Sequence, residues 1–223
     1  MTKQIAWSHS ALSQFETCPR QFYLVRVAKL VKEPPSEATT WGNEVHKALE
    51  YRVRDKTPLP EGMAQWEPLA ARFDGLKNVK TETQYALTRN LEPTGWFAKD
   101  VWVRAIIDVS AIQPHRGFAG DWKTGKVKAD SDQLRLTAGV LMQHHKELPV
   151  VDTAFIWLKD FKVSKKSFYR DELPVIWEEY ARRAGRIQAA ADKNVWLPKP
   201  SGLCRGWCPA TRAHCEFWEP KRK

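Results

Sequence analysis

The spacing of apolar residues changes along this chain, and the order of those changes restricts the fold more than any other feature. Residues 7–30 carry Leu12, Phe15, Phe22 and Val25 near helical spacing, with Ser8 or Ser10 as a cap and Pro19 opening a second piece. Pro34, Pro35 and Ser36 mark a linker, after which Val45, Leu49 and Val53 define a helix over 40–54. Residues 56–63 read as a loop and 65–77 as weakly helical at best. The middle then turns to strand-like runs, 81–88 and 97–108, rich in branched and aromatic residues, with a turn at Gly95 between them. A strand at 117–123, a helix at 131–145, a strand at 150–158 and an amphipathic helix at 174–192 complete the order. Such a succession makes a mixed α/β or α+β domain.

A chain of 223 residues is by default one domain, large enough to bury a core without a metal or disulfides. Its four cysteines are too few for a disulfide scaffold, and neither a secretory signal nor an apolar run of transmembrane length is visible. A cytoplasmic, reducing location with no membrane partner is the expectation. Lys plus Arg number 36 against 26 Asp plus Glu, and the net charge of +10 favours a polyanionic partner without identifying it.

The most informative segment is Asp108, followed by Gly120-Asp121-Trp122-Lys123-Thr124-Gly125. Asp121 and Lys123 stand two apart on an expected strand, so their side chains point to one face and Trp122 to the other, into the core. If the strands ending at Asp108 and Lys123 are neighbours, two carboxylates and an ammonium converge at one sheet edge. Two close carboxylates repel unless a cation lies between them, and an oxygen-rich site suits Mg2+ or Mn2+. A short D-x-K string alone is equally an acidic turn with a surface lysine. His46, in Gly42-Asn43-Glu44-Val45-His46, shifts the balance because it precedes the sheet on a helix that Gly42 lets approach another backbone closely.

These residues resemble the PD-(D/E)XK nucleases, and within them the RecB-like group that includes CRISPR-associated exonucleases with an iron–sulfur cluster. The resemblance covers nearly the whole chain. It implies a restriction-endonuclease-like core, a central mixed sheet flanked by helices, within a single nuclease domain over 1–223. In that group a G-x-x-x-H helix supplies a metal-binding histidine, matched by Gly42 and His46. The first metal carboxylate maps to Asp108, with Ala105 where many relatives carry glycine. The D-x-K-T-G element maps to Asp121, Lys123, Thr124 and Gly125 without a gap. Mg2+ or Mn2+ would then be held by His46, Asp108, Asp121 and the backbone carbonyl of Trp122, with Lys123 as the catalytic lysine. A following Q-x-x-x-Y helix matches at Gln133, while Thr137 replaces the tyrosine. Glu82 corresponds to an extra acidic group of some relatives, although a surface glutamate is the better reading of its position.

Cys204, Cys208 and Cys215 lie within twelve residues, and three thiols so close can surround a metal if Cys18 or His214 completes the set. The resemblance implies that Cys18, Cys204, Cys208 and Cys215 hold a 4Fe-4S cluster, zinc being the lesser alternative, with 1–30 and 200–218 forming a cluster region that joins the termini. Lys159, Lys162, Lys165, Lys166 and Arg170 form a basic stretch, followed by Arg182, Arg183 and Arg186 and by the tail Lys221-Arg222-Lys223. Beside a phosphodiester-cleaving centre these fit a groove along a DNA backbone. Trp41, Trp96 and Phe97 near the site are candidates to wedge or stack exposed bases. The activity so implied is a metal-dependent exonuclease acting at DNA ends or on single-stranded DNA, in recombination, DNA degradation, phage-encoded or otherwise, or CRISPR spacer processing. A non-catalytic DNA-end-binding partner of a larger complex and a structure-specific endonuclease are the alternatives.

Overall fold

A computed structural model of the protein describes residues 4–127 and 131–220; the basic tail 221–223 lies outside them. The strand-like middle of the sequence builds one mixed sheet of six strands. They are β1 (Val79–Thr88), β2 (Pro93–Thr94), β3 (Val101–Gln113), β4 (Arg116–Lys123), β5 (Val150–Trp157) and β6 (Lys162–Tyr169). Their order is β2-β1-β3-β4-β5-β6, with β4 and β5 parallel and every other pair antiparallel. The parallel step needs a crossover, which contains helix α5 (Asp132–His144). β5 is apolar on both faces, as a strand covered on both sides must be. The basic stretch of the sequence is in its larger part β6, an edge strand whose lysines blunt its open side.

The chain divides into two compact units, and the middle unit, Ser36–Trp177, contains the whole sheet. Its long helix (Glu37–Asp55) follows α1 (His9–Thr17) and α2 (Pro19–Phe22) in sequence and is α3 here. It starts three residues earlier than its apolar repeat suggests, because Ser36 caps it by accepting from the Thr39 N–H. Val45, Leu49 and Val53 pack with Val109, Trp122, Ala154 and Ile156 of the sheet. The close fit at this interface requires a glycine in β4: a Cβ at Gly120 would come 2.9 Å from Val109 Cγ1. Arg52, 10% exposed at its side chain, is neutralised within the unit by Glu67 and Asp74.

Arg170 is placed differently from the DNA contact that its sequence context suggested. Its guanidinium donates to the Leu148 carbonyl at 2.7 Å, the His145 carbonyl at 2.8 Å and the Met142 carbonyl at 3.2 Å, closing the C-terminal end of α5. Lys165 and Lys166 alternate on β6, so the three residues form no single phosphate track. Arg170→Ala is expected to destabilise the protein by about 2–3 kcal/mol, since charged hydrogen bonds to otherwise orphaned carbonyls are lost. Urea unfolding checks this, and a loss below about 0.5 kcal/mol, the scatter of ordinary surface changes, would contradict it.

The second unit joins the residues before 36 to those after 177, the boundary falling inside α6 (Leu173–Asp192). Phe15, Phe22 and Tyr23 pack their rings against Trp196 at centroid distances of 5.3–6.4 Å. Arg183 adds an ion pair to Glu16 at 2.8 Å. The expected cysteine-bound cluster joining the termini is therefore corrected: aromatic packing and this ion pair join the two ends, and Cys18, Cys204, Cys208 and Cys215 are free thiols.

Candidate metal centre

The site begins where β3 and β4 part. Their ladder runs from Gln113 opposite Arg116 to Val109 opposite Gly120, and stops one step before Asp108 would face Asp121. There the Trp122 N–H donates to Asp108 Oδ2 at 2.8 Å instead of to a strand carbonyl. β4 remains paired with β5 as far as Lys123 opposite Trp157, so the fork opens on the β3 side. Glu82 occupies the register position opposite Asp108 in β1, between the pairs Thr81–Val109 and Thr83–Ile107, and is itself unpaired. Its φ of +45° lies in the left-handed region that a non-glycine residue enters at a cost of roughly 1–2 kcal/mol. Local strain of this kind in mid-strand is characteristic of functional sites.

Helix α3 brings His46 to the fork. Its Nε2 is 2.8 Å from the Trp122 carbonyl, which can only accept, so this nitrogen carries the hydrogen. In the neutral ring the lone pair is then on Nδ1, 3.4 Å from Asp108 Oδ2 and 3.9 Å from Glu82 Oε1. His46, Glu82 and Asp108 each offer a donor atom, all within 4.8 Å of one another, so one cation can touch all three. The electrostatics fit such an ion. Burial, then the charge of Asp121, pushes the Asp108 carboxyl up to about 7. Burial alone would lower His46, but Glu82, Asp108 and Asp121 outweigh it and hold the imidazole above its ordinary value. A bound cation would supply the positive charge that these carboxylates otherwise draw from a proton.

Asp121 belongs to an adjoining group. Lys123 Nζ lies 2.8 Å from Asp121 Oδ1 and 2.9 Å from Gln133 Oε1, and the Gln133 amide donates back to Asp121 Oδ2. Gln133 is in the first turn of α5, so the crossover helix closes this three-membered ring. Lys123 also lies over the Phe155 ring at 4.9 Å. An open cleft of about 510 Å³ runs beside the centre, with Thr39, Asn43 and Lys47 of α3 and Thr124 in its wall together with His46 and Glu82. The structure thus gathers His46, Asp108, Asp121, Lys123 and Gln133, engages the Trp122 carbonyl with His46, and adds Glu82. Trp122 itself is core, 1% exposed.

The cysteines require a correction of the expected cofactors. Among the described residues the group able to share one ion is His46, Glu82 and Asp108, and no cysteine is in it. Cys18, Cys204, Cys208 and Cys215 line a cavity with Leu24, Ala210 and Trp218 in the unit made by the chain ends. Burial, together with the neighbouring cysteines, pushes the Cys208 thiol up. Cys18 and Cys204 accept weak bonds from the Lys199 and Ser201 N–H groups, both at 3.4 Å. His214 pairs through Nδ1 with Thr211 at 2.9 Å. Neither it nor any cysteine belongs to the group of described residues able to share one ion, so the 4Fe-4S cluster and its zinc alternative are both corrected to the histidine–glutamate–aspartate site.

The family model for the PD-(D/E)XK nuclease superfamily matches residues 6–216. Among solved structures, the chain is similar to a candidate exonuclease from Eubacterium rectale, with 14% identity, a TM-score of 0.52 and coverage of 89% of this chain and 85% of that one. It is also similar to SSO0001, at 10% identity and a TM-score of 0.44, over 93% of this chain and 85% of the other. No protein of curated function matches the sequence. The narrower expectation of a RecB-like or CRISPR-associated iron–sulfur group is corrected: the match is at the level of the superfamily, and the ligand set is histidine, glutamate and aspartate rather than four cysteines. No helix among the described residues is long and apolar enough to cross a membrane.

Proposed function

Because this chain belongs to the PD-(D/E)XK nuclease superfamily, we propose that it is a deoxyribonuclease dependent on Mg2+ or Mn2+, hydrolysing phosphodiester bonds at DNA ends or in single-stranded DNA. The observation that carries the proposal is the fork itself, where His46, Glu82 and Asp108 converge beside the paired Asp121 and Lys123. Two carboxylates and an imidazole suit a divalent cation with a preference for oxygen ligands. Such an ion, when bound, polarises a phosphate oxygen and lowers the pKa of a water molecule.

The chain's own groups do the rest. His46 is oriented by the Trp122 carbonyl so that Nδ1 faces the carboxylates, a positioning bond of the type that fixes metal-bound imidazoles. Asp108 is aimed by the Trp122 N–H, so the tip of β4 aligns both residues. Lys123 is held by Asp121 and Gln133 with its ammonium part-exposed, where it can orient a water molecule and meet charge developing on a phosphate. Gln133 thus serves as a positioning residue for both.

The test is digestion of end-labelled linear and of circular single-stranded DNA by the purified protein with Mg2+ or Mn2+. Degradation of the linear strand with the circle left intact is the expected result. Opening of the circle would mark an endonuclease, and binding of both without cleavage would mark a non-catalytic DNA-binding partner.

A further inference from the structure

The proposed chemistry uses one stretch of the β1–β3 pair and leaves the rest of that ribbon without a role. We infer that this remainder, with the turn that leads into β3, is a stacking platform for the unpaired bases of a single DNA strand; the inference rests on the nuclease reading above. Two positions beyond Glu82 and Asp108 on the same strands, Gln84 and Ile106 face each other and are both exposed, Ile106 by 47%. Two positions further along β3 stands Arg104. Its Nε donates to the Trp96 carbonyl at 2.9 Å, and its guanidinium lies over the Trp96 ring at 5.5 Å. The next residue, Phe97, is 88% exposed. By strand spacing, Ile106 and Arg104 lie roughly 7 and 14 Å from Asp108 along β3.

Phe97 does not sit on a loose tip. The Ala98 N–H donates to the Gly95 carbonyl at 3.0 Å, and Thr94 Oγ1 donates to Asp100 Oδ1 at 3.0 Å, so the turn carrying the ring is closed twice. A phenyl ring held out into water forgoes the burial that folding rewards. An exposed aromatic ring next in sequence to an indole covered by a guanidinium is a combination that recognises bases by their faces and the backbone by its charge. Apolar exposure here is interrupted by Arg104 and Gln84, whereas a protein-docking surface is a contiguous apolar patch. Bases within a duplex keep their faces stacked on one another, so the ligand that fits is an unpaired strand.

The experiment is fluorescence anisotropy with a labelled twelve-nucleotide oligothymidylate and a labelled blunt-ended duplex of two complementary strands, in EDTA so that nothing is cut. Phe97→Ala should weaken binding of the single strand about tenfold and leave the duplex unchanged, and Phe97→Tyr should restore the single-strand affinity. Equal affinity of Phe97→Ala and the parent for the single strand would overturn the inference. So would an equal loss on both ligands, or no rescue by tyrosine. Because binding is read without cleavage, a protein that shows this pattern yet cuts no DNA would defeat the nuclease reading alone. One that cuts DNA but lacks the pattern would defeat the platform alone.

Discussion

Asp108→Asn is expected to abolish cleavage while leaving the protein folded. Asparagine keeps the shape and the oxygen that accepts the Trp122 N–H, so the fork between β3 and β4 retains its positioning bond. It removes the charge that makes a cation welcome beside His46 and Glu82. Losing several kcal/mol of electrostatic stabilisation lowers the single-turnover rate by about 10³-fold or more. Mn2+ affinity, followed by calorimetry, should fall with it. The thermal midpoint without metal should not fall, because a buried carboxylate repelled by Asp121 has been replaced by a neutral group. A variant that loses activity only by unfolding would instead show a lower midpoint.

Lys123→Ala is expected to separate chemistry from ion binding. Its ammonium is held by Asp121 and Gln133 and is no donor to a cation, so Mn2+ affinity should remain near that of the parent. Turnover should drop roughly 10²- to 10³-fold, the usual loss when one group aimed at developing charge is removed. Gln133→Ala, which frees both neighbours without removing either, should cost less, on the order of tenfold. Single-turnover rates and Mn2+ titrations on the same preparations check the pair. A Lys123→Ala protein with unchanged turnover would remove the lysine from the mechanism.

What the sequence made legible was periodic or local. Val45, Leu49 and Val53 announce α3, and the two-residue spacing of Asp121 and Lys123 on a strand puts both on one face. Glu82 was legible only through the resemblance. The preferred reading of a surface glutamate is corrected by its place beside His46 and Asp108, which depends on the pairing of β1 with β3 and on a left-handed backbone in mid-strand. The lysines of β6 hid its strand character, since an edge strand needs burial only at points such as Phe168. Arg170 reads as one of several basic residues until the carbonyls at the end of α5 are seen to take it. Cysteine spacing was the least reliable guide. Nearness in sequence of Cys204, Cys208 and Cys215 leaves open whether their surroundings favour a thiolate or a buried thiol, and burial pushes the Cys208 thiol up.

In the proposed nuclease this fork is a metal-dependent hydrolytic centre in which Asp121 and Lys123 act beside His46, Glu82 and Asp108. Single-turnover cleavage of an end-labelled single strand, by the parent and by Asp121→Ala in parallel, tests it most directly. The parent should cut with Mg2+ or Mn2+ and stop on addition of EDTA, while Asp121→Ala should bind the strand and leave it uncut. Near-parental cleavage by Asp121→Ala in the same metal-containing buffer, with contaminating nuclease excluded by a Lys123→Ala preparation handled identically, would contradict the assignment.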